Sequence, residues 1–199
     1  FALDNGAFSV WKRGLAVDWN RYYAWVEEWI RHPGFDWAVI PDVIEGAEDE
    51  NDELMAAWPL PRHVGVPVWH MHESFERLRR LCESWQRIAI GSSGKYSVPG
   101  TAAWWQRIGQ AMDSICENGR PITRLHGLRM LNPAIHQHLP LGSVDSASVS
   151  RKVGRANWGG AYRAASDTVK ALVLIDCYES HQSAAVWAGI PEQRELFAC

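Results

Sequence analysis

The chain has 199 residues, 47% hydrophobic and 22% charged, which is ordinary globular usage and excludes a disordered segment. Its formal net charge of −3 excludes a uniformly basic coat, so any nucleic-acid contact must come from a local basic patch. The longest apolar run, Ala171 to Ile175, is far below the roughly 18 residues of a membrane span. Cys82, Cys116, Cys177 and Cys199 match no zinc spacing and read as reduced thiols of a cytoplasmic protein. The first residue is Phe and the first residues read as a strand, so the chain is expected to be a fragment lacking its N-terminus. Twelve tryptophans are many; Trp19, Trp25, Trp29, Trp104 and Trp105 fall in helix-like segments, where packing is expected.

Short apolar runs alternate with amphipathic stretches along the chain. The runs are 1–3, 37–40, 64–69, 87–90, 122–125 and 142–144. Between them, 18–31 opens with Asp18 as N-cap and carries Trp19, Tyr22, Tyr23, Val26, Trp29 and Ile30 at helical spacing. The acidic run 48–53 suits the start of a solvated helix. Residues 74–85 open with Ser74, and 101–117 open with Thr101 and end before Asn118-Gly119, read as a helix stop. The alternation predicts an α/β fold with a parallel sheet. A TIM-type (β/α)8 barrel uses roughly 31 residues per unit, and six such units fit a barrel that has lost its first two strands. An open doubly wound sheet would gather ligands at the same strand ends. Residues 1–150 read as this partial barrel, and 151–199 as a helical extension of the same domain.

Each run is followed by a polar residue or glycine: Asp4, Asp42, His70, Gly91-Ser92, His126 and Asp145. Under either topology these share the functional face. Asp4 and Asp145 suit glycosidic-bond chemistry, with one carboxylate attacking or stabilising the sugar cation and the other moving protons. Helix capping and turn formation compete for both, because Asn5-Gly6 is itself a turn signal. Asp42 suits the N–H donors of a purine edge or an ion pair with an arginine. His70 and His72, two apart on a strand, share a face and with His126 suit either a metal or hydrogen bonding in a polar pocket. Gly91 to Gly94 can let a ligand approach the backbone or be a plain loop. Arg151, Lys152, Arg155 and Arg163, interleaved with Trp158 and Tyr162, suit phosphate contacts with base stacking, or a solvated loop.

The order of these motifs resembles the tRNA-guanine transglycosylase superfamily, in particular its short relatives that insert 7-deazaguanines into DNA. Asp4-Asn5-Gly6-Ala7-Phe8 stands where that family has Asp-Ser-Gly-Gly-Phe, and Asp42, after Ala38-Val39-Ile40-Pro41, where it has an Asp reading the guanine edge. His70 takes the place of a base-contacting Gln, and Ala89-Ile90-Gly91-Ser92 that of Ala-Ile-Gly-Gly. The stretch 125–130 is similar to the penultimate strand, and Asp145 with Arg151 to the last, whose nucleophilic Asp precedes an Arg by six residues. The resemblance covers roughly residues 1–155 and implies that the chain begins at the third barrel strand.

The resemblance implies a base-exchange enzyme. Asp145 would attack C1′ and form a covalent glycosyl intermediate, with Asp4 as general acid and base. Asn5, Asp42, His70, Gly91, Ser92 and His126 would bind the base, and Arg151, Lys152 and Arg155 the phosphates. The partners implied are nucleic acid and a free 7-deazaguanine such as a cyano- or aminomethyl-deazaguanine; the exchange needs no cofactor or metal. The chain lacks the Cys-x-Cys-x2-Cys zinc motif of the tRNA-modifying members, which points to DNA rather than tRNA. A nucleosidase or DNA glycosylase on the same barrel, or an inactive nucleic-acid-binding relative, are the other classes compatible with these residues.

Overall fold

The computed structural model describes residues 1–147, 153 and 166–191. In chain order the strands and helices are β1 (Ala2–Leu3), α1 (Ala7–Arg13), α2 (Trp19–Trp29), β2 (Trp37–Val39), α3 (Glu48–Ala56), β3 (Gly65–Val66), β4 (Val68–His70), α4 (Phe75–Ser84) and β5 (Arg87–Gly91). There follow α5 (Ala102–Ile115), β6 (Cys116–Glu117), β7 (Arg120–Pro121), β8 (Arg124–Gly127), α6 (Pro133–His136), β9 (Ser143–Val144) and α7 (Asp167–Glu179). Apart from the β6–β7 hairpin, every strand pairing is parallel, as the alternation predicts.

Spatial order follows sequence order. One ladder runs β1-β2-β3 and another β4-β5-β8-β9. They meet at Pro67, which has no N–H to donate but whose carbonyl accepts from Ala89 N at 2.9 Å. Val66 O accepts from Ile40 N at 2.9 Å on the other side, so residues 65–70 pass from one neighbour to the next without a gap. β1 and β9 are not paired with each other among the described residues, so the closed barrel expected from the unit count is not formed by them.

Both faces of the sheet are covered, which explains its continuously apolar strands. Trp69, Ile88, Ile90 and Leu125 pack outward against α4 and α5, which bury Leu78, Leu81, Trp104, Trp105, Ile108, Met112 and Ile115. Leu3 and Ala38 pack outward against Tyr22 and Val26 of α2. Trp37, Val39, Val66, Val68 and Ala89 form the opposite, concave face. There the Trp37 and His126 rings approach to 4.7 Å, although two strand positions separate β2 from β8. On a flat sheet, at about 4.8 Å per strand, they would stand some 14 Å apart. The sheet is therefore strongly curled.

The expected helix starts are present. Asp18 accepts from Arg21 N at 3.1 Å, Ser74 from Arg77 N at 3.1 Å and Thr101 from Trp104 N at 3.3 Å. Three expectations need correction. Asn118-Gly119 does not merely stop α5; with φ of 51° and 76° it makes the two-residue turn of the β6–β7 hairpin, a geometry this dipeptide favours. The strand expected at 122–125 lies at 124–127, because the hairpin consumes the preceding residues. Trp25 is exposed, unlike the buried Trp104 and Trp105.

Within the described C-terminal part, Val153 and residues 167–179 are helical. The residues after 179 pack back on the sheet's helices, with Trp187 Nε1 donating to Asp113 Oδ1 at 2.7 Å and Trp187 N to Gly119 O at 2.6 Å. Cys82, Cys116 and Cys177 are unpaired. No described helix is long and apolar enough to cross a membrane. Ile108 is wholly buried between α5 and the sheet, so Ile108→Ala should lower unfolding free energy by about 2–5 kcal/mol. Urea denaturation with an unchanged m-value would check this.

Candidate active site

The curl gathers the carboxyl ends of the strands around one cleft of about 360 Å³. Asp4 and Asn5 follow β1, Asp42 follows β2, His70 ends β4, Gly91 ends β5 and Asp145 follows β9; all line it. Ser92 lines it too, and Phe8, Leu128 and Arg129 complete its wall. Gly6, with φ of 73°, makes the turn from β1 into α1 that places Phe8 beside Asp4.

Asp42 is the most constrained member. It is buried, and each carboxylate oxygen accepts one hydrogen bond: Oδ1 from Asn5 Nδ2 at 2.5 Å and Oδ2 from His70 Nε2 at 2.8 Å. Asn5 also donates to Ile40 O at 2.9 Å, and its own oxygen accepts from Ala7 N at 2.9 Å. The partners of Asp42 are therefore an amide and an imidazole, not an arginine. A carboxylate has about four lone-pair sites, so acceptor capacity remains for a ligand.

Asp4 and Asp145 follow β1 and β9, the edge strands of the sheet among the described residues. The Asp4 carboxyl is held above the usual carboxylate range, chiefly by burial against the cleft wall; the Gly6 amide opposes this, and the charges of Asp145 and Asp42 add to it. Asp145 is likewise raised, chiefly by burial, while the Arg129 N–H and charge pull it back. The Asp145 Oδ1 accepts from Arg129 N at 2.5 Å. Arg129 adopts φ of 62°, a left-handed conformation unusual for a non-glycine residue, and its guanidinium lies 4.3 Å over the Phe8 ring. Asp4 does not cap α1, which has no side-chain cap, but its Oδ1 accepts from Gly6 N at 3.4 Å in the turn, as the turn signal suggested; Asp145 Oδ1 accepts from Arg129 N.

His126 does not stand at a strand end. It lies inside β8 on the concave face, below the cleft, where Nδ1 meets Ser143 Oγ at 2.8 Å. Burial, reinforced by the charge of Arg87, pushes its pKa down to about 4. At neutral pH it is uncharged, and its 4.0 Å approach to Asp145 is no ion pair. It is a floor residue beneath the base-binding position expected for it. His72 stacks on His70 at 5.8 Å between centroids; no group of three side chains that could hold a metal assembles among the described residues. Ser92 Oγ accepts from Trp104 Nε1 at 2.9 Å, which ties the β5 end to α5. Arg151, Lys152 and Arg155 lie outside the described residues.

Behind the cleft lies a buried polar network that sequence reading does not single out. Glu73 Oε2 accepts from His70 N at 2.8 Å and from Arg77 at 2.6 Å, and Arg77 also donates to Val68 O at 2.9 Å. Asn51 donates to Glu73 Oε1 at 2.9 Å and accepts from Val43 N at 2.7 Å, next to Asp42. The network thus clamps the backbone on both sides of the Asp42–His70 contact. The spacing of Glu73 and Arg77, four apart at a helix start, was its only local signal. Comparison of the chain with protein-family models, curated proteins and solved structures gives no match.

Two outcomes follow. Removing Arg77 leaves Glu73 charged and buried, so Arg77→Leu should cost about 3–5 kcal/mol in chemical denaturation. His126 has a folded pKa below its ordinary 6.5, so its neutral form contributes stability above pH 6.5 that is lost as pH falls through about 4. A loss on the order of 3 kcal/mol over that window is expected, and His126→Gln should flatten this part of the stability–pH curve.

Proposed function

We propose that the chain is a guanine-exchanging glycosyltransferase acting on nucleic acid, DNA rather than tRNA, through a covalent aspartyl-glycosyl intermediate. The observation that carries this reading is the placing of Asp4 and Asp145 in one cleft, each with a raised carboxyl pKa, beside the buried Asp42. Two carboxylates lining one cleft, one to attack as the nucleophile and one to move the proton, are the groups that glycosidic exchange uses.

In this mechanism a carboxylate oxygen of Asp145 attacks C1′ while the C1′–N9 bond to guanine breaks. The Arg129 N–H holds the Asp145 carboxylate in its attacking orientation. Asp4, whose carboxyl burial raises, serves as the general acid and gives a proton to the departing base. An incoming 7-deazaguanine gives its N9 proton back to Asp4 and displaces Asp145 from C1′, so protons and bonds balance. Asp42 accepts N–H groups from the base edge with its remaining lone pairs, and Asn5 and His70 hold it in place. A base inside a duplex must be flipped out to reach such a cleft.

The fold supports this reading through its winding. A monotonic, all-parallel strand order with helices on the convex face belongs to singly wound barrels, whereas doubly wound sheets reverse order at a switch point. We therefore read the curled sheet as six units of a (β/α)8 barrel. Labelled guanine incubated with the protein and duplex DNA should become polymer-bound, and tRNA should take up little. Asp145→Asn should lower exchange by at least about 10⁴-fold and abolish trapping of a covalent adduct. Release of free guanine with no acceptor base would make the enzyme a hydrolase, and an adduct that survives in Asp145→Asn would remove the nucleophile assignment.

A further inference from the structure

α1 leaves most of itself on the surface beside the cleft. Of its seven residues only Ala7 is buried. Its first turn lines the cleft with Ala7, Phe8 and Ser9. Trp11, one turn further, meets the Phe8 ring at 5.7 Å between centroids, so it adjoins the cleft wall from outside. It is nevertheless 46% exposed, and Leu15, just past the helix, is 60% exposed. An exposed indole against a cleft wall, followed directly by two cations, marks an interaction surface rather than scattered apolar exposure.

Those cations are Lys12 and Arg13, exposed in the last turn of α1. Neither forms an ion pair among the described residues. Gly14 N bonds Trp11 O at 3.0 Å and Leu15 N bonds Val10 O at 3.2 Å, which fixes the turn that carries them. The cleft itself has the opposite sign. Asp4, Asp42 and Asp145 line it, and Arg129 is the only arginine or lysine among its described lining residues. A phosphodiester is repelled by such carboxylates over a range of roughly 8–10 Å, so cations outside the cleft are needed to hold it there. With seven residues α1 is far shorter than the roughly 20–30 of many lipid-anchoring helices, so its polyanionic partner is a nucleic acid rather than a lipid surface.

We propose that α1 is the docking helix for the strand that flanks the extruded nucleotide, with Trp11 stacking on the neighbouring base and Lys12 and Arg13 binding the flanking phosphates. Stacking on an indole tolerates any base, and phosphate contacts carry no sequence information. α1 therefore supplies affinity and placement, and the cleft reads the base. The inference rests on the reading of the cleft as one that receives a nucleotide from nucleic acid; its readout is binding, which is separable from exchange.

Fluorescence anisotropy of a labelled DNA duplex carrying one unpaired guanine, titrated with the whole chain over a series of salt concentrations, tests it. Trp11→Ala should weaken binding by about tenfold or more without changing the salt dependence, and Trp11→Phe should keep most of the affinity. Lys12→Ala combined with Arg13→Ala should reduce the slope of log K against log salt by about 2. All three side chains are exposed, so the variants should keep the wild-type circular dichroism. Wild type and variants that bind the duplex with one affinity and one salt slope overturn this assignment alone. Binding that depends on these residues, with no labelled guanine entering the duplex, upholds α1 as the docking helix and overturns the exchange reading. A wild type that does not bind the duplex overturns both. A dimer in the absence of DNA that Trp11→Ala dissociates makes α1 a contact between copies and overturns the assignment.

Discussion

The contact between Trp37 and His126 across the concave face is the constraint on which the site depends. Without the curl it reports, Asp4 and Asp145 would lie at opposite edges of a six-stranded layer. With it, the strand ends converge and a single cleft receives residues from β1 to β9. The floor beneath is made dry enough to keep His126 neutral, and the Arg87 guanidinium lies 5.3 Å over Trp37 and pairs with Asp36 at 3.0 Å where the trough meets solvent. Packing below sets electrostatics above.

A second layer of control comes from hydrogen bonds in low dielectric. The Asn5–Asp42–His70 set is buried, so each member is held by its partners rather than by water. Glu73, Arg77 and Asn51 extend that order to the backbone and to α3 and α4. Such networks cost desolvation and add little net stability compared with apolar packing. Their value here is geometric: they fix the loop carrying Asp42 against the strand carrying His70. The two raised aspartates lie outside this network, at the edge strands β1 and β9, where burial in the cleft wall raises both carboxyls.

Much of this was legible along the chain. Period and capping located α2, α4 and α5, because Asp18, Ser74 and Thr101 satisfy helix amides whatever surrounds them. Continuous apolar runs announced parallel strands, and the polar residue after each run announced the face that carries the cleft. Asp4, Asn5, Asp42, His70, Gly91, Ser92 and Asp145 were recognised that way and do share one cleft. His126 was misplaced because the hairpin made by Asn118-Gly119 shifts the following strand, and a local stop signal reads the same for a helix end and a hairpin turn.

What the sequence determined by itself is local: which segments are helices or strands, that the strands run parallel, and which residues stand at their carboxyl ends. These follow from side-chain period, caps and turn residues, which act over a few positions. Only the tertiary structure decided the curl of the sheet, the unpaired edges of β1 and β9, and the partners of Asp42. It also decided the left-handed Arg129 whose amide bonds Asp145. Those features arise between residues many positions apart, where packing and desolvation choose among arrangements that the local pattern leaves equal.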